Sequence, residues 1–306
     1  IDFTLGGNTL HAYDGETSFK AAERHGVEIP HLCYQYGLRP DGNCRACVVE
    51  MAGERTLAPS CCRAVAAGMQ VQAQSERALK SQKMVLELLL SDMPDAGYKW
   101  NDAKPGSPHP NPLPEGEGIA AAPIPALLPL PPGEGRGEGL PDPDPGPGQH
   151  GELSDWAARM GVTVRPELKA LRRKQPPADL SHPAMAVNLD ACIQCNRCVR
   201  ACREEQVNDV IGFAWHGAHR EIVFDLDDPM GDSTCVACGE CVQACPTGAL
   251  MPKTQIGSQI VDKKVDSVCP FCGVGCLLTY NVKDNQIVSV EGRDGPANHS
   301  RLCVKG

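Results

Sequence analysis

The run "CIQCNRCVRAC" at residues 192–202 returns as "CVACGECVQAC" at residues 235–245, with the same C-x2-C-x2-C-x3-C spacing. Cysteines so close in sequence do not usually bridge each other without strain, but their thiolates converge readily on one metal centre. This spacing is typical of [4Fe-4S] clusters, whereas structural zinc sites separate two C-x2-C pairs by a longer loop. The repeat therefore predicts two four-iron clusters, with two zinc sites as the alternative.

Seventeen cysteines among 306 residues also raise the question of disulfides. A disulfide-stapled secreted protein spreads its cysteines at loop-sized intervals and carries a secretory signal. Here the cysteines are tightly clustered, and the chain opens at Ile1 without a signal-like segment. We therefore expect metal ligation rather than disulfides. The missing Met and a final motif that ends at Gly306 lead us to expect a fragment.

Charge and hydropathy restrict the partners. The formal net charge is -9, and the basic residues are scattered apart from the short run "LRRK" at 171–174. Nucleic-acid binders carry a basic footprint instead. No apolar run approaches the length of a membrane-spanning helix. We predict neither a nucleic-acid partner nor a membrane span.

The N-terminal region reads as short strands around one helix, which predicts a small α+β domain at residues 1–78. Its cysteines have the spacing C-x10-C-x2-C-x13-C, which supplies four thiolates for a [2Fe-2S] centre, or alternatively for zinc. These residues are Cys33, Cys44, Cys47 and either Cys61 or its neighbour Cys62. An amphipathic, leucine-rich pattern then predicts a helix at 79–100.

Residues 101–150 differ from the rest of the chain, with 14 Pro, 9 Gly and no Cys. Such a composition buries too little apolar surface to offset the entropy of ordering, so we expect a disordered insert. It would serve as a linker or surface insertion, with a proline-motif docking site as the alternative. A helical connector is predicted at 151–180.

A last cluster motif, "CPFCGVGC" at residues 269–276, is followed by Cys303. The four cysteines give C-x2-C-x3-C-x26-C, which suffices for another [4Fe-4S] centre, with a zinc knuckle as the alternative. We assign residues 262–306 to this module and 181–256 to the doubled motif.

The doubled motif, whose second copy ends in Cys245-Pro246, resembles bacterial two-cluster ferredoxins. In that arrangement three neighbouring thiolates hold one cube, and the fourth ligates the other cube. The resemblance implies two crossed ligand sets, which are Cys192, Cys195, Cys198 with Cys245, and Cys235, Cys238, Cys241 with Cys202.

The first module resembles the β-grasp [2Fe-2S] module of the large iron-sulfur subunit of respiratory complex I, iron hydrogenases and NAD-linked formate dehydrogenases. In those families the last ligand lies seven residues before a Gly. Counting back from Gly68 selects Cys61 and leaves Cys62 as a spare thiol. The final loop resembles the start of molybdenum or tungsten bis(pyranopterin guanine dinucleotide) oxidoreductases. There a Lys lies between cluster and pterin, and Lys305 occupies that position.

Together, the order of modules resembles the alpha subunit of cytoplasmic NAD-dependent formate dehydrogenases. The resemblance implies an oxidoreductase subunit with one [2Fe-2S] and three [4Fe-4S] centres, the last held by Cys269, Cys272, Cys276 and Cys303. It also implies a Mo or W pterin cofactor in the complete subunit, a flavin/NAD-binding beta subunit, and a small [2Fe-2S] gamma subunit as an optional partner. The catalytic residues would lie outside these 306 residues, which would carry electrons.

Other functions stay open. A complex I-like or hydrogenase-like iron-sulfur subunit shares the first module, and a stand-alone ferredoxin-like electron-transfer adaptor is the alternative from another class. The chain also departs from many relatives, which carry an extra cube with one His ligand before the ferredoxin. No cysteine occurs between Cys62 and Cys192. Electrons would therefore pass directly from the [2Fe-2S] centre to the ferredoxin cubes, or through another subunit.

Overall fold

The computed structural model describes residues 1–95, 150–174, 177–257, 261–303 and 305–306. The Pro/Gly-rich insert predicted at 101–150 lies outside these ranges except for His150, so its disorder stays a prediction. The described residues form several small sheets with short helices, which confirms the α+β, multi-module class. Across these ranges, no helix has the length and apolar character needed to cross a membrane.

The first module is a five-stranded sheet with one helix packed on it. The strands are β1 (Asp2–Leu5), β2 (Asn8–His11), β3 (Val48–Met51), β4 (Ala58–Pro59) and β5 (Gln70–Gln72), in the order β2-β1-β5-β3-β4. β1 and β5 are parallel, and the other pairs are antiparallel. Helix α1 (Ser18–Arg24) begins at Thr17, whose hydroxyl accepts the Lys20 N–H at 3.3 Å. Its Phe19 packs in one core with Phe3 and Val71.

Helix α2 (Glu76–Ser91) begins three residues before the predicted start and ends well before residue 100. Ser75 caps it by accepting the Ala78 N–H at 3.2 Å. The buried Gln82 side chain donates to Val48 O at 2.8 Å and Ala73 O at 3.2 Å, which fastens the helix to the sheet.

The connector contains two helices, α3 (Glu152–Arg159) and the single turn α4 (Pro166–Lys169). Leu153 of α3 packs with Leu86 of α2 in a second core, which also contains Leu32 and Ile193. This core joins the first module to the ferredoxin region.

The ferredoxin region pairs β6 (Met185–Val187) with β9 (Leu250–Pro252) and β7 (Ile211–Ala214) with β8 (Glu221–Phe224), both antiparallel. Each cysteine run ends in a short helix, α5 (Arg197–Arg200) or α6 (Glu240–Ala244). A π-helical turn, Ala201–Glu205, extends α5. Single 3-10 turns occur at Leu189–Ala191, Gly217–His219 and Lys253–Gln255.

The final module is an antiparallel three-stranded sheet of β10 (Lys263–Val268), β11 (Leu277–Lys283) and β12 (Gln286–Gly292). Asp284 and Asn285 form the two-residue turn between β11 and β12, with φ of 49° and 60°. Two positive φ values are what a tight hairpin of this length requires, and Asp and Asn tolerate them. The "CPFCGVGC" run forms the loop between β10 and β11.

Candidate iron-sulfur centres

The structure brings Cys33, Cys44, Cys47 and Cys61 together in the first module. The Cys33 N–H donates to Cys44 Sγ at 3.3 Å. Hydrogen bonds with the thiols of Cys44 and Cys61 lower the pKa of the Cys33 thiol, and hydrogen bonding to Cys33 raises the pKa of both partners. Cys61 also bonds to Cys47, whose pKa this contact lowers to about 7. The four sulfur atoms therefore form one contiguous group.

Cys61 and Cys62 have different surroundings although they are neighbours. The Cys61 side chain is fully buried, whereas Cys62 is exposed, and their sulfur atoms are 3.6 Å apart. Cys62 lies beside Gly42, where an added Cβ would come within 3.1 Å of its sulfur. This geometry favours Cys61 as the fourth member of the group. That Cys61 is a cluster ligand stays a prediction.

A cavity of about 370 Å³, partly open to solvent, is lined by Cys192, Cys195, Cys198 and Cys245. Its other walls are largely apolar, with Leu189, Ile193, Ile222 and Leu250 among them. Burial raises the pKa of Cys192 to about 11, and raises the pKa values of Cys195 and Cys198 as well. Four thiols around one space in apolar surroundings fit a thiolate-held cluster, whose binding would displace their protons.

The crossing of the two cysteine runs is visible in the same region. Cys245, from the second run, lines the cavity with three cysteines of the first. Conversely, burial raises the pKa of Cys241, and Cys235, Cys238 and Cys202 are close enough to raise it further. The structure thus places Cys202, from the first run, beside the second group. These are the sets implied by two-cluster ferredoxins, although their ligand roles stay predictions.

Backbone amides aimed at the sulfur atoms were not anticipated from the sequence. The N–H of Gln194 donates to Cys192 Sγ at 3.4 Å, and the N–H of Ala237 donates to Cys235 Sγ at the same distance. Both donors have positive φ, 54° and 56°, which turns their amides inward. Such bonds stabilise thiolate charge and tune a bound cluster. The corresponding signal in the sequence is Asn196 and Gly239, two residues further on, whose residue types tolerate the positive φ that they adopt.

The fourth thiol group, Cys269, Cys272, Cys276 and Cys303, is more exposed than the others. Cys269 is buried, Cys276 is half-buried, and Cys272 and Cys303 are exposed. The Cys269 N–H donates to Cys276 O at 2.9 Å, which closes the loop between β10 and β11. Cys303 lies far along the chain, after β12.

Asn298 brings the Cys303 segment back to this loop. Its buried side chain accepts the Leu277 N–H and donates to Leu277 O, both at 3.0 Å. It also donates to Arg293 O at 3.1 Å and to Arg301 O at 3.0 Å. Because Leu277 follows Cys276 and Arg301 precedes Cys303 by two residues, this one side chain joins the two ends of the ligand set. Asn298 was not predicted from the sequence, since an isolated Asn carries no signal.

Lys305 lies beside Cys303, as the resemblance implies. Backbone N–H groups of Gly306 and Lys305 lower the pKa of the Cys303 thiol, and the Lys305 charge adds to the effect. A role of Lys305 toward a pterin stays a prediction.

His182, the histidine that shortly precedes the ferredoxin cysteines in sequence, makes hydrogen bonds to the backbone instead of contacting a thiol group. His182 is buried before the ferredoxin region, and its Nδ1 accepts the N–H groups of Ala184 and Met185, both at 3.1 Å. In the part of the chain that the structure describes, no three His, Cys, Asp or Glu side chains are arranged to hold a single metal ion.

The first and the last modules both contact the ferredoxin region that lies between them in sequence. The loop that carries Cys33 and Cys44 lies directly on the first ferredoxin run, where Asn43 Nδ2 donates to Gln194 O at 2.7 Å. At the other end, the segment before Cys303 lies on α6, where the Leu302 N–H donates to Gln243 Oε1 at 2.6 Å. The route that electrons take between the modules stays a prediction.

Three family matches follow this order. Residues 1–76 match a 2Fe-2S iron-sulfur cluster binding domain, residues 191–249 a 4Fe-4S dicluster domain, and residues 262–306 a molybdopterin oxidoreductase Fe4S4 domain. The predicted sequence of iron-sulfur modules is confirmed. The chain thus carries iron-sulfur electron-transfer domains followed by a domain of the molybdopterin oxidoreductase type.

Its relatives are subunits of larger oxidoreductases. An NADH-quinone oxidoreductase subunit of Rhizobium meliloti is 28% identical over all of this chain and 31% of its own length. A formate dehydrogenase-like protein of Staphylococcus haemolyticus is 23% identical over 99% of this chain and 30% of its own length. The chain thus spans about a third of these relatives. The predicted resemblance to the iron-sulfur part of such subunits is confirmed.

A solved structure shares the fold. A chain in the crystal structure of NAD+-reducing [NiFe]-hydrogenase in the H2-reduced state aligns with a TM-score of 0.62. The alignment covers 86% of this chain and 91% of that one, at 22% identity.

Proposed function

We propose that this chain is the electron-transfer portion of an NAD-dependent formate dehydrogenase alpha subunit. It would carry electrons from a Mo or W pterin site, where formate becomes CO2, to a flavin/NAD-binding partner subunit in the cytoplasm. The observation that carries the proposal is the order of the iron-sulfur modules, which contact one another and end in a module of the molybdopterin oxidoreductase type.

Bound iron-sulfur clusters would supply one-electron redox chemistry with little structural change. The chain's own residues supply the rest. Cys192, Cys195, Cys198 and Cys245 line one partly open space, and the apolar side chains around them limit the access of water. The amides of Gln194 and Ala237 offset negative charge on the sulfur atoms. The hydrogen bonds favour electron uptake, whereas the apolar walls disfavour added negative charge, so the balance of the two effects sets the potential of a bound cluster.

The first test is the metal content of the anaerobically reconstituted chain. One [2Fe-2S] and three [4Fe-4S] centres correspond to about 14 iron atoms per chain, with equal acid-labile sulfide. EPR of the reduced chain should resolve a two-iron signal beside the four-iron signals. Zinc in place of iron at any of the four thiol groups would contradict that part of the proposal.

The second test separates electron carriage from catalysis. The 306 residues contain proposed cluster ligands but no group that we assign to breaking the C–H bond of formate. We expect the reconstituted chain to accept electrons from dithionite and pass them to a dye, without formate-dependent dye reduction. Turnover with formate above a cluster-free control would mean that a catalytic site lies within these residues. In the complete subunit, Lys305→Ala should slow formate-dependent reduction of the terminal centre without lowering iron content.

A second candidate is a subunit of an NADH-quinone oxidoreductase. It is favoured by the Rhizobium meliloti relative, whose similarity extends over the whole chain. The complete enzyme separates the two, since formate should reduce the clusters in the first case and only NADH in the second.

A further inference from the structure

The two helices of the doubled cysteine motif have side chains at corresponding positions. Counted from the third cysteine of each run, Arg197 in α5 corresponds to Glu240 in α6, and Arg200 corresponds to Gln243. Within each helix the two residues are three positions apart, Arg197 and Arg200 in α5 and Glu240 and Gln243 in α6, so they project from the same side of that helix. Corresponding faces of the two helices thus carry two arginines in α5 and a glutamate and a glutamine in α6.

On α5 this face receives the loop of the first module. Arg197 and Arg200 are both only 4% exposed. Arg197 Nη1 donates to Leu32 O at 3.1 Å and pairs with Glu152 at 2.7 Å. Arg200 donates to the backbone carbonyls of Cys33 and Arg39. The guanidinium of Arg200 therefore touches the peptide of a proposed [2Fe-2S] ligand.

Arg200 is also a buried cation with unusual partners. Its hydrogen bonds go to the carbonyls of Cys33, Arg39 and Asn196, and no carboxylate pairs with it within the described ranges. An isolated buried charge is strongly disfavoured unless opposite charge lies nearby. Thiolate-held clusters carry net negative charge, so loading the sites on either side would provide that compensation.

On α6 the equivalent face receives the segment that ends in Cys303. Glu240 pairs with Arg301, and Gln243 Oε1 accepts the Leu302 N–H at 2.6 Å. Leu302 is the residue before Cys303. Arg200 of α5 therefore contacts Cys33, a proposed ligand in the first module. Gln243 of α6 contacts Leu302, the residue next to the proposed ligand Cys303.

We propose that Arg200 and Gln243 are equivalent positioning residues, each of which joins one ferredoxin motif to the neighbouring cluster-binding loop. The inference rests on the proposed function, because it assumes that clusters occupy the four thiol groups. Arg200 lies two residues from Cys198 and bonds to Cys33, so it provides a short bonded path between two ligand sets. Its charge favours electron uptake by the [2Fe-2S] centre. Gln243, which is uncharged, provides the corresponding path toward Cys303 through its hydrogen bond with Leu302.

The test compares four single variants of the anaerobically reconstituted chain: Arg200→Gln, Arg200→Lys, Gln243→Ala and Arg203→Gln. Arg203 is the matched control, because it lies on the same helical segment but is exposed and pairs with Asp209 at 2.7 Å. The readouts are iron content, the midpoint potential of each centre by EPR-monitored titration, and magnetic coupling between reduced neighbours.

We expect Arg200→Gln to make reduction of the [2Fe-2S] centre about tenfold less favourable, which is about 59 mV for one electron, and to leave the terminal centre unchanged. Arg200→Lys, which keeps the charge, should restore most of the potential. Gln243→Ala should weaken magnetic coupling of the terminal centre to its neighbour and leave the [2Fe-2S] potential unchanged. Arg203→Gln should match the wild type in all readouts.

Equal shifts in Arg200→Gln and Arg203→Gln would overturn the inference, and so would unchanged potentials in Arg200→Gln. If both Arg200 variants fail to load clusters while Arg203→Gln loads them, Arg200 is a structural residue and the inference is also wrong. Failure of the wild-type chain itself to show two-iron and four-iron signals would instead contradict the proposed function. The two failures are therefore distinguishable.

Discussion

The first and the last thiol groups each contain four cysteines, but they differ in how deeply those cysteines are buried. In the first module, Cys33, Cys47 and Cys61 are at most 1% exposed, and two of them belong to the core of the five-stranded sheet. In the final module, Cys272 and Cys303 are exposed. One group is thus built into a hydrophobic core, whereas the other lies at the edge of its sheet.

The contacts that position each group differ in the same way. The first group depends on the sheet and on α2, which Gln82 fastens to β3. The last group depends on one buried side chain, Asn298, and on contacts between Arg301, Leu302 and α6. Loss of a ligand should therefore disturb the fold strongly in the first module and only locally in the last.

The largest effect is expected for Cys61→Ser. It removes a fully buried thiol that contacts Cys33 and Cys47, so the two-iron EPR signal should disappear and the thermal stability of the reconstituted chain should fall. The matched control is Cys62→Ser, one residue away and exposed, which should keep both. A two-iron signal that survives in Cys61→Ser and is lost in Cys62→Ser would assign the fourth ligand to Cys62.

A more limited effect is expected for Cys303→Ser. Because this thiol is exposed and lies outside any core, its loss should remove only the terminal four-iron signal. The two-iron signal and the ferredoxin signals should stay, with thermal unfolding near that of the wild type. If the variant also loses the two-iron signal, the final module is not the independent site that its exposure indicates.

The cysteine spacing located the modules and their order, because ligand spacing is dictated by local backbone geometry around a metal centre. Spacing alone left zinc open at each site, and the resemblance to known families supplied the type of each module. The β-strands of the first module were also readable from short apolar runs. Contacts between modules were not readable. Arg197, Arg200, Glu240 and Gln243 look like solvated helix residues in the sequence, and only the fold reveals that each faces another module. Asn298 was missed for the same reason, since its four partners are spread along 25 residues, from Leu277 to Arg301.

A smaller effect, confined to stability, is expected for Asn298→Ala. It removes a buried amide whose oxygen accepts one N–H and whose two N–H hydrogens are shared among three carbonyls. At about 1 kcal/mol for each of these three hydrogens, less some recovery by water, the final module should lose about 2–3 kcal/mol of stability. The terminal cluster should be lost first on exposure to an iron chelator, whereas the two-iron signal should persist as in the wild type. Gln286→Ala, at an exposed position of β12, is the control and should change neither.

The described residues on either side of positions 96–149 lie near each other, which leads to the smallest expected effect. The carboxylate of Asp95, the last described residue before the insert, pairs with Lys169 at 2.5 Å. A hydrogen bond from Lys169 lowers the pKa of Asp95, and His150, the last residue of the insert, makes a small contribution to the same shift. Asp95 and His150 therefore lie near each other.

Deleting residues 104–146 would remove no cysteine. It would leave about 11 residues, 96–103 and 147–149, to join Asp95 to His150, and these can span about 36 Å when extended. The segment between Asp95 and His150 shortens from 54 residues to 11. Since the cost of closing a loop changes by only about 0.6 kcal/mol for each doubling of its length, stability should change by about 1.4 kcal/mol. Iron content and all EPR signals should match the wild type. Loss of any one centre would mean that the insert supports that centre despite its composition, and the centre lost would identify whether it acts on the first module or on the last.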